Sequence, residues 1–183
     1  PALRSSEPEC NSPRGSTLGC ALLTHRLATR SQANDQMTGD HSLRTPEPTV
    51  IEWSKQLAPD TQILDIAAGG GRHALWLTSL GHEVTAIDRD TSALEEAWRG
   101  AGSPTNLRIL QADLEDDPWP LPGQHFGAVV VVNYLWRALL PTLFAAIAPG
   151  GLLLYETFGV GNERYGRPRN PDYLLREGEA RSP

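Results

Sequence analysis

The 183-residue sequence predicts an α/β fold, built on a doubly wound and mostly parallel sheet. Three observations predict it. Five short runs between residues 62 and 158 are almost wholly apolar, without in–out alternation. Segments of helical period separate most of them, and a cluster of three glycines joins the first run to the helix behind it. Strands apolar on both sides need cover on both sides, and helices connecting successive parallel strands provide it.

Each element has a local reason. Pro46 to Leu57 carries Val50, Ile51, Trp53 and Leu57 at helical spacing, with Pro48 near the start, where a missing N–H costs nothing. Gln62 to Ala67 is a short buried strand that runs into the glycines. Arg72 to Leu80 is a helix ended by Gly81, and Glu83 to Ile87 is the second strand. Thr91 to Ala101 is a helix behind Asp90 as candidate cap, closed by Gly102-Ser103-Pro104. Leu107 to Gln111 and Ala128 to Val132 are the third and fourth strands. Arg137 to Ile147 is a helix stopped by Pro149-Gly150-Gly151, and Leu152 to Phe158 is the fifth strand. The order of elements is that of a Rossmann-type fold.

Residues 1–45 read differently. They are rich in Ser, Thr, Pro, Arg and Asn, with only a weak helical patch from Leu18 to Ala28. A segment with so little to bury is expected to stay disordered, or to be an extension ahead of a natural start at Met37, the only methionine. The folded domain is expected over residues 46–183.

Composition narrows the function. With 39% hydrophobic and 21% charged residues the chain is globular in type, and its longest apolar run, Ala128 to Val132, is far short of the roughly 20 residues that span a bilayer. Net charge is −6, and residues 1–50 hold five Arg against five acids, so the whole excess lies in the remainder. That sign disfavours nucleic acid as a partner. Cys10 and Cys20 make no disulfide framework, and no Cys or His lies at zinc-site spacing, so no metal is expected. With neither signal peptide nor spanning segment, the expected compartment is the cytoplasm.

The informative stretch is Ile63 to His73, where the first strand runs through Gly69, Gly70 and Gly71 into a helix. Glycines there let the backbone approach a ligand, and helix N–H groups face it. Gly69-x-Gly71-x-x-Ala74 alone satisfies the dinucleotide fingerprint, which is weak evidence. Asp88 ends the second strand, where a carboxylate can accept from both hydroxyls of a ribose, and Asp113 follows the third, within reach of an adenine amino group. Asp65 lies inside the first strand, and a buried carboxylate costs several kcal/mol unless it meets donors or a cation. A ligand carrying an ammonium group favours it; an anionic pyrophosphate does not.

The run Asp65-x-Ala67-x-Gly69-x-Gly71, with Asp88 and Asp113 behind it, resembles the class I S-adenosylmethionine-dependent methyltransferases over roughly residues 46–179. The forms ILDIAAGGGRHALWL, AIDRD and APGGLLLYETF are similar, more narrowly, to small bacterial methyltransferases of the tellurite-resistance type. The resemblance implies S-adenosylmethionine as cofactor and strand order 3-2-1-4-5. It implies that Asp65, Ala67, Gly69 and Gly71 line the methionine end, that Asp88 holds the ribose hydroxyls, and that Asp113 and Leu114 border the adenine. Asn133 would offer its backbone near the methionine amino group. Ala67 stands where the family most often has its first glycine, and Gly127 replaces the usual Asp before the fourth strand, which is expected to loosen that strand's entry. The family has two further strands beside the fifth. The chain ends 25 residues after Phe158, so those strands are expected to be absent and Leu152 to Phe158 to form an exposed, association-prone edge.

Methyl transfer is an in-line displacement driven largely by positioning, with no obligatory base. The candidates at the strand ends are Tyr134, Arg137 and His73, then Glu156 and Thr157. The plainer reading of His73 is a first-turn helix residue packing on a loop. Asn162 to Arg167 reads as a loop, with a substrate lid as its functional reading. The expected activity is methyl transfer to a small-molecule acceptor. The alternatives are a nicotinamide-dependent oxidoreductase, with Asp65 and Asp113 against it, and a cofactor-binding fragment without turnover.

Overall fold

The computed structural model describes residues 21–26 and 45–179. Strand β1 is Ala21–Arg26. Helix α1 (Pro48–Ser54) follows, then β2 (Gln62–Ile66), α2 (Arg72–Ser79) and β3 (Glu83–Asp88). Helix α3 (Ser92–Gly100), β4 (Leu107–Gln111) and β5 (Phe126–Val132) come next. A 3-10 turn at Arg137–Leu139 leads into α4 (Leu140–Ala146) and β6 (Ile147–Phe158). No helix among the described residues is long and apolar enough to cross a membrane.

The sheet runs β1-β6-β5-β2-β3-β4, with every pair parallel. Its last five strands stand in the expected 3-2-1-4-5 order. Because strand side chains alternate, the two faces build two cores. One holds Ile63, Val84, Ala86, Ala128, Val130 and Leu154 against Val50 and Trp53 of α1, Ala74 and Leu77 of α2, and Leu94 of α3. The other holds Leu64, Ile66, Ile87, Val129, Val131, Leu153 and Tyr155 against Leu143 and Ala146 of α4. Three helices on one face and one on the other leave the carboxyl ends of β2–β6 together at one edge, where open α/β sheets bind ligands.

Two expectations are corrected. Ala21–Arg26 is a strand, not a helical patch in a disordered segment, and it pairs in parallel from Ala21↔Leu153 to Arg26↔Phe158. Tertiary pairing overrides weak local propensity here. The same pairing means that Leu153–Phe158 is not the bare edge expected of it. Strand β5 begins at Phe126. Gly127 sits where the β5–β6 register shifts, Phe126 facing Ile147 and Ala128 facing Leu152. A Cβ on Gly151 would lie 2.8 Å from Ile147 Cγ2 and 3.0 Å from the Gly127 carbonyl oxygen, so the bulge needs glycine at that point. Cys10, Cys20 and Met37 lie outside the described residues.

Candidate active site

The site starts from Asp65. Side chains of β2 at odd positions point to the face of α2, and Asp65 thereby sits beneath the helix start, 1% exposed. One carboxylate oxygen, Oδ2, is buried with no hydrogen-bond partner. Burial pushes its pKa up to about 7, and the Asp88 charge adds to the rise, while the Ala74 backbone amide and Arg72 pull the other way.

Above it the chain turns sharply. Ala67, Gly69 and Gly71 have φ of 54°, 54° and 79°. At Gly71 a Cβ would lie 2.1 Å from Leu94 Cδ1, so this residue is fixed by both its left-handed backbone and its neighbour. Ala67 holds a left-handed conformation without being glycine, which costs roughly 1–2 kcal/mol. Asp88 ties the turn to β3: the Gly69 amide donates to Oδ2 at 2.7 Å, and the Asp90 amide to Oδ1 at 3.1 Å. Asp90 in turn accepts from the Ser92 amide at 3.0 Å, one residue outside the cap position at Thr91.

Across the strand ends runs a cleft of about 470 Å³, lined by Ala67, Asp88, Asp113, Leu114, Asn133 and Tyr134 among others. That volume suits a nucleoside-sized ligand. Asp113 Oδ1 accepts from the Glu115 amide, and the Asp113 amide donates to Asp117 Oδ2, so the turn after β4 is held by its own carboxylates. Asn133 has φ of 63°, and its amide donates to the Glu156 carbonyl oxygen at 2.8 Å. The Tyr134 hydroxyl is buried without a hydrogen-bond partner, and desolvation, with Glu115 and Asp113 nearby, raises its pKa.

Six residues expected at the site therefore share one cleft. Asp65, Gly69 and Gly71 shape it from beneath without lining it. His73 and Arg137 are not among its lining residues. His73 is buried, and its Nε2 accepts from the Glu47 amide at 3.3 Å, which docks the start of α1 on α2. The Arg72–Glu47 ion pair at 2.8 Å fastens the same joint. Arg137 is engaged by Glu179, 42 residues away. Glu156 and Thr157 are buried in β6.

Sequence reasoning missed Arg89, Glu115, Pro168 and Tyr173 in the lining. Arg89 and Glu115 each lie within two residues of an expected aspartate, a signal that was available. Pro168 and Tyr173 carry no local signal, because only the return of the chain after β6 brings them to the strand ends.

Residues 63–151 match the family described as a methyltransferase domain. A ubiquinone biosynthesis O-methyltransferase of Albidiferax ferrireducens is 29% identical over 119 residues, 60% of this chain and 47% of that protein. The chain thus spans about half the length of the curated relative it matches. An S-adenosylmethionine-dependent methyltransferase of Thiobacillus denitrificans, solved with S-adenosylhomocysteine, aligns with TM-score 0.52 at 16% identity, covering 70% of this chain and 55% of that one. Another from Geobacter sulfurreducens, also with S-adenosylhomocysteine, gives 0.51 at 18%, covering 69% and 54%. At these identities the likeness is one of fold. The matched residues include the glycine turn, Asp88, Asp113 and the strands that bring them to one cleft. The match to a methyltransferase domain covers the half of the chain that forms the glycine turn and most of the cleft.

Proposed function

We propose that this chain binds S-adenosylmethionine in the cleft at the strand ends and transfers its methyl group to a small-molecule acceptor. The observation that carries the reading is the unpartnered Asp65 carboxylate oxygen beneath the glycine turn, with Asp88 and Asp113 on the cleft above it. A buried carboxylate oxygen without a partner suits a ligand that brings a cation, here the methionine ammonium. Asp88 and Asp113 supply acceptors for ribose hydroxyls and an adenine amino group, and Ala112 and Leu114 supply apolar faces for the base. The donor and acceptor set fits the group.

When bound, S-adenosylmethionine supplies an electrophilic methyl on a sulfonium. Residues of this chain do the rest by position. Ala67 to Gly71 hold the amino-acid end, Asp88 fixes the ribose, and the strained Asn133 turns the chain so that Tyr134 faces the cleft. Tyr134 keeps its proton, so its role is to bound and dry the reaction path rather than to act as a base. We assign no proton transfer to His73, whose Nε2 is held by the Glu47 amide. The short motifs around the glycines and β6 support a place among the small bacterial methyltransferases of tellurite-resistance type.

A nicotinamide oxidoreductase is disfavoured, because Asp65 would repel a pyrophosphate on the glycine turn. Titration calorimetry with S-adenosylmethionine, S-adenosylhomocysteine and NADH tests the reading. The expected result is heat with the first two and none with NADH. Tight NADH binding with no S-adenosylhomocysteine signal would overturn it.

A further inference from the structure

Beyond β6 the chain does not leave the sheet. Residues 159–179 return over the strand ends as a strap, and Arg137 is what grips it. Its Nε donates to Glu179 Oε1 at 2.6 Å and its Nη2 to Oε2 at 2.9 Å, a bidentate pair. The same guanidinium donates to the Asp172 carbonyl oxygen, and to that of Leu174 at 2.9 Å. One side chain therefore holds the strap at three residues. Glu179 is tuned to the grip, since the Arg137 hydrogen bond holds its pKa below the usual carboxylate range.

The strap is anchored at one more place. Leu174 packs on Phe158 and Leu175 enters the core behind α4, while the Leu175 amide donates to the Phe158 carbonyl oxygen at 2.8 Å. Its own bend is set by buried Asn162, whose side chain donates to the Arg167 carbonyl oxygen at 3.0 Å. Between these fixed points lie Pro168 and Tyr173, the two strap residues that line the cleft with Asp88 and Asp113.

We propose that Arg137 is a positioning residue: it latches the strap of residues 159–179 so that Pro168 and Tyr173 form the outer wall of the cofactor cleft. This rests on the reading of the cleft given above. Arg137 does not line the cleft and acts on it only through the wall. An arginine is needed because four donations from one planar group serve a carboxylate and two carbonyls together, which a lysine ammonium cannot reproduce.

Two measurements on the full chain separate the parts of the proposal. The first needs no ligand: limited trypsin cleavage after Arg164 and Arg169, both exposed in the strap. Arg137→Lys and Glu179→Gln should each raise that cleavage rate about tenfold, the loss of one charge-assisted bond pair. Tyr173→Ala should leave it unchanged. The second is the dissociation rate of S-adenosylhomocysteine by stopped-flow. It should rise about tenfold in the two latch variants and also in Tyr173→Ala, whose strap stays shut. Unchanged cleavage in the latch variants overturns the latch. Faster cleavage with unchanged dissociation overturns the wall. Wild-type chain that binds no S-adenosylhomocysteine overturns the cofactor reading and the positioning role with it, while the cleavage arm still decides the latch.

Discussion

Replacing Asp65 by Asn should make the free protein more stable above neutral pH, and the size of the gain follows from the burial of the carboxylate. Its pKa rises from 3.8 to about 7 on folding, chiefly through desolvation. A folded pKa above the unfolded one means the folded state binds the proton more tightly. The contribution to stability is therefore complete below about pH 4 and is lost as pH climbs through 7. Between pH 5 and pH 8 the wild type loses about two pKa units of that contribution, or about 3 kcal/mol at 1.36 kcal/mol per unit. The Asn side chain does not titrate and can still accept from the Ala74 amide. The intrinsic cost of the amide is the same at both pH values, so the gap between variant and wild type should widen by about 3 kcal/mol. For a chain of this size that is roughly 5–10 °C in Tm. Thermal melts of both proteins at pH 5 and pH 8, followed by circular dichroism, read it directly. Saturating S-adenosylhomocysteine should shrink the gap at pH 8, because its ammonium offsets the buried charge. A gap equal at both pH values would refute the argument.

Three further substitutions probe the turn and its tie to β3. Asp88→Ala removes the acceptor of two backbone amides along with the proposed ribose contact, and should weaken S-adenosylhomocysteine about 10- to 150-fold by calorimetry, equivalent to about 1.5–3 kcal/mol. Ala67→Gly relieves a left-handed alanine and should raise stability by about 1 kcal/mol in urea titration, with the cleft intact. Gly71→Ala should lower stability by about 2–4 kcal/mol, since the added methyl meets Leu94 in a backbone region that already strains alanine; a denaturation midpoint equal to wild type would contradict the turn geometry.

What was legible in the sequence was what local pattern controls. Strands β2–β6 and the glycine turn follow from apolar runs and punctuation, and Asp88 and Asp113 follow from lying at strand ends, where the topology gathers them. Element ends moved by a few residues where pairing decided them, as at Ile147, which extends β6 back through the Pro149-Gly150-Gly151 bulge. Ala21–Arg26 was not legible, because its strand exists only by pairing with β6. Arg137 failed in another way. Its position after β5 suggested chemistry, and only a partner 42 residues on reveals that its charge is already engaged. His73 has the same lesson at shorter range, since its Nε2 meets an amide 26 residues earlier in the chain. Long-range polar partners leave no periodic trace.

The carboxylates of the cleft give one more consequence, which concerns turnover rather than folding. Asp88, Asp113 and Glu115 line it with Arg89 as the basic side chain among the lining residues, and Asp65 lies buried beneath. In the free protein these charges oppose one another, and Asp88 adds to the rise in the pKa of Asp65. A ligand that carries positive charge relieves that repulsion. S-adenosylmethionine carries a sulfonium as well as an ammonium, whereas S-adenosylhomocysteine keeps only the ammonium. On the proposed function, methyl transfer removes one positive charge from an acidic cleft, and the field that draws in the reactant holds the product less. The difference between the two ligands is Coulombic, so it should respond to salt: raising ionic strength from about 0.01 to 0.15 M shortens the Debye length from about 30 to 8 Å. The affinity of S-adenosylmethionine should then fall more than that of S-adenosylhomocysteine, with Asp113→Asn narrowing the difference. Equal salt slopes for the two ligands would mean that the cleft does not sense the sulfonium charge.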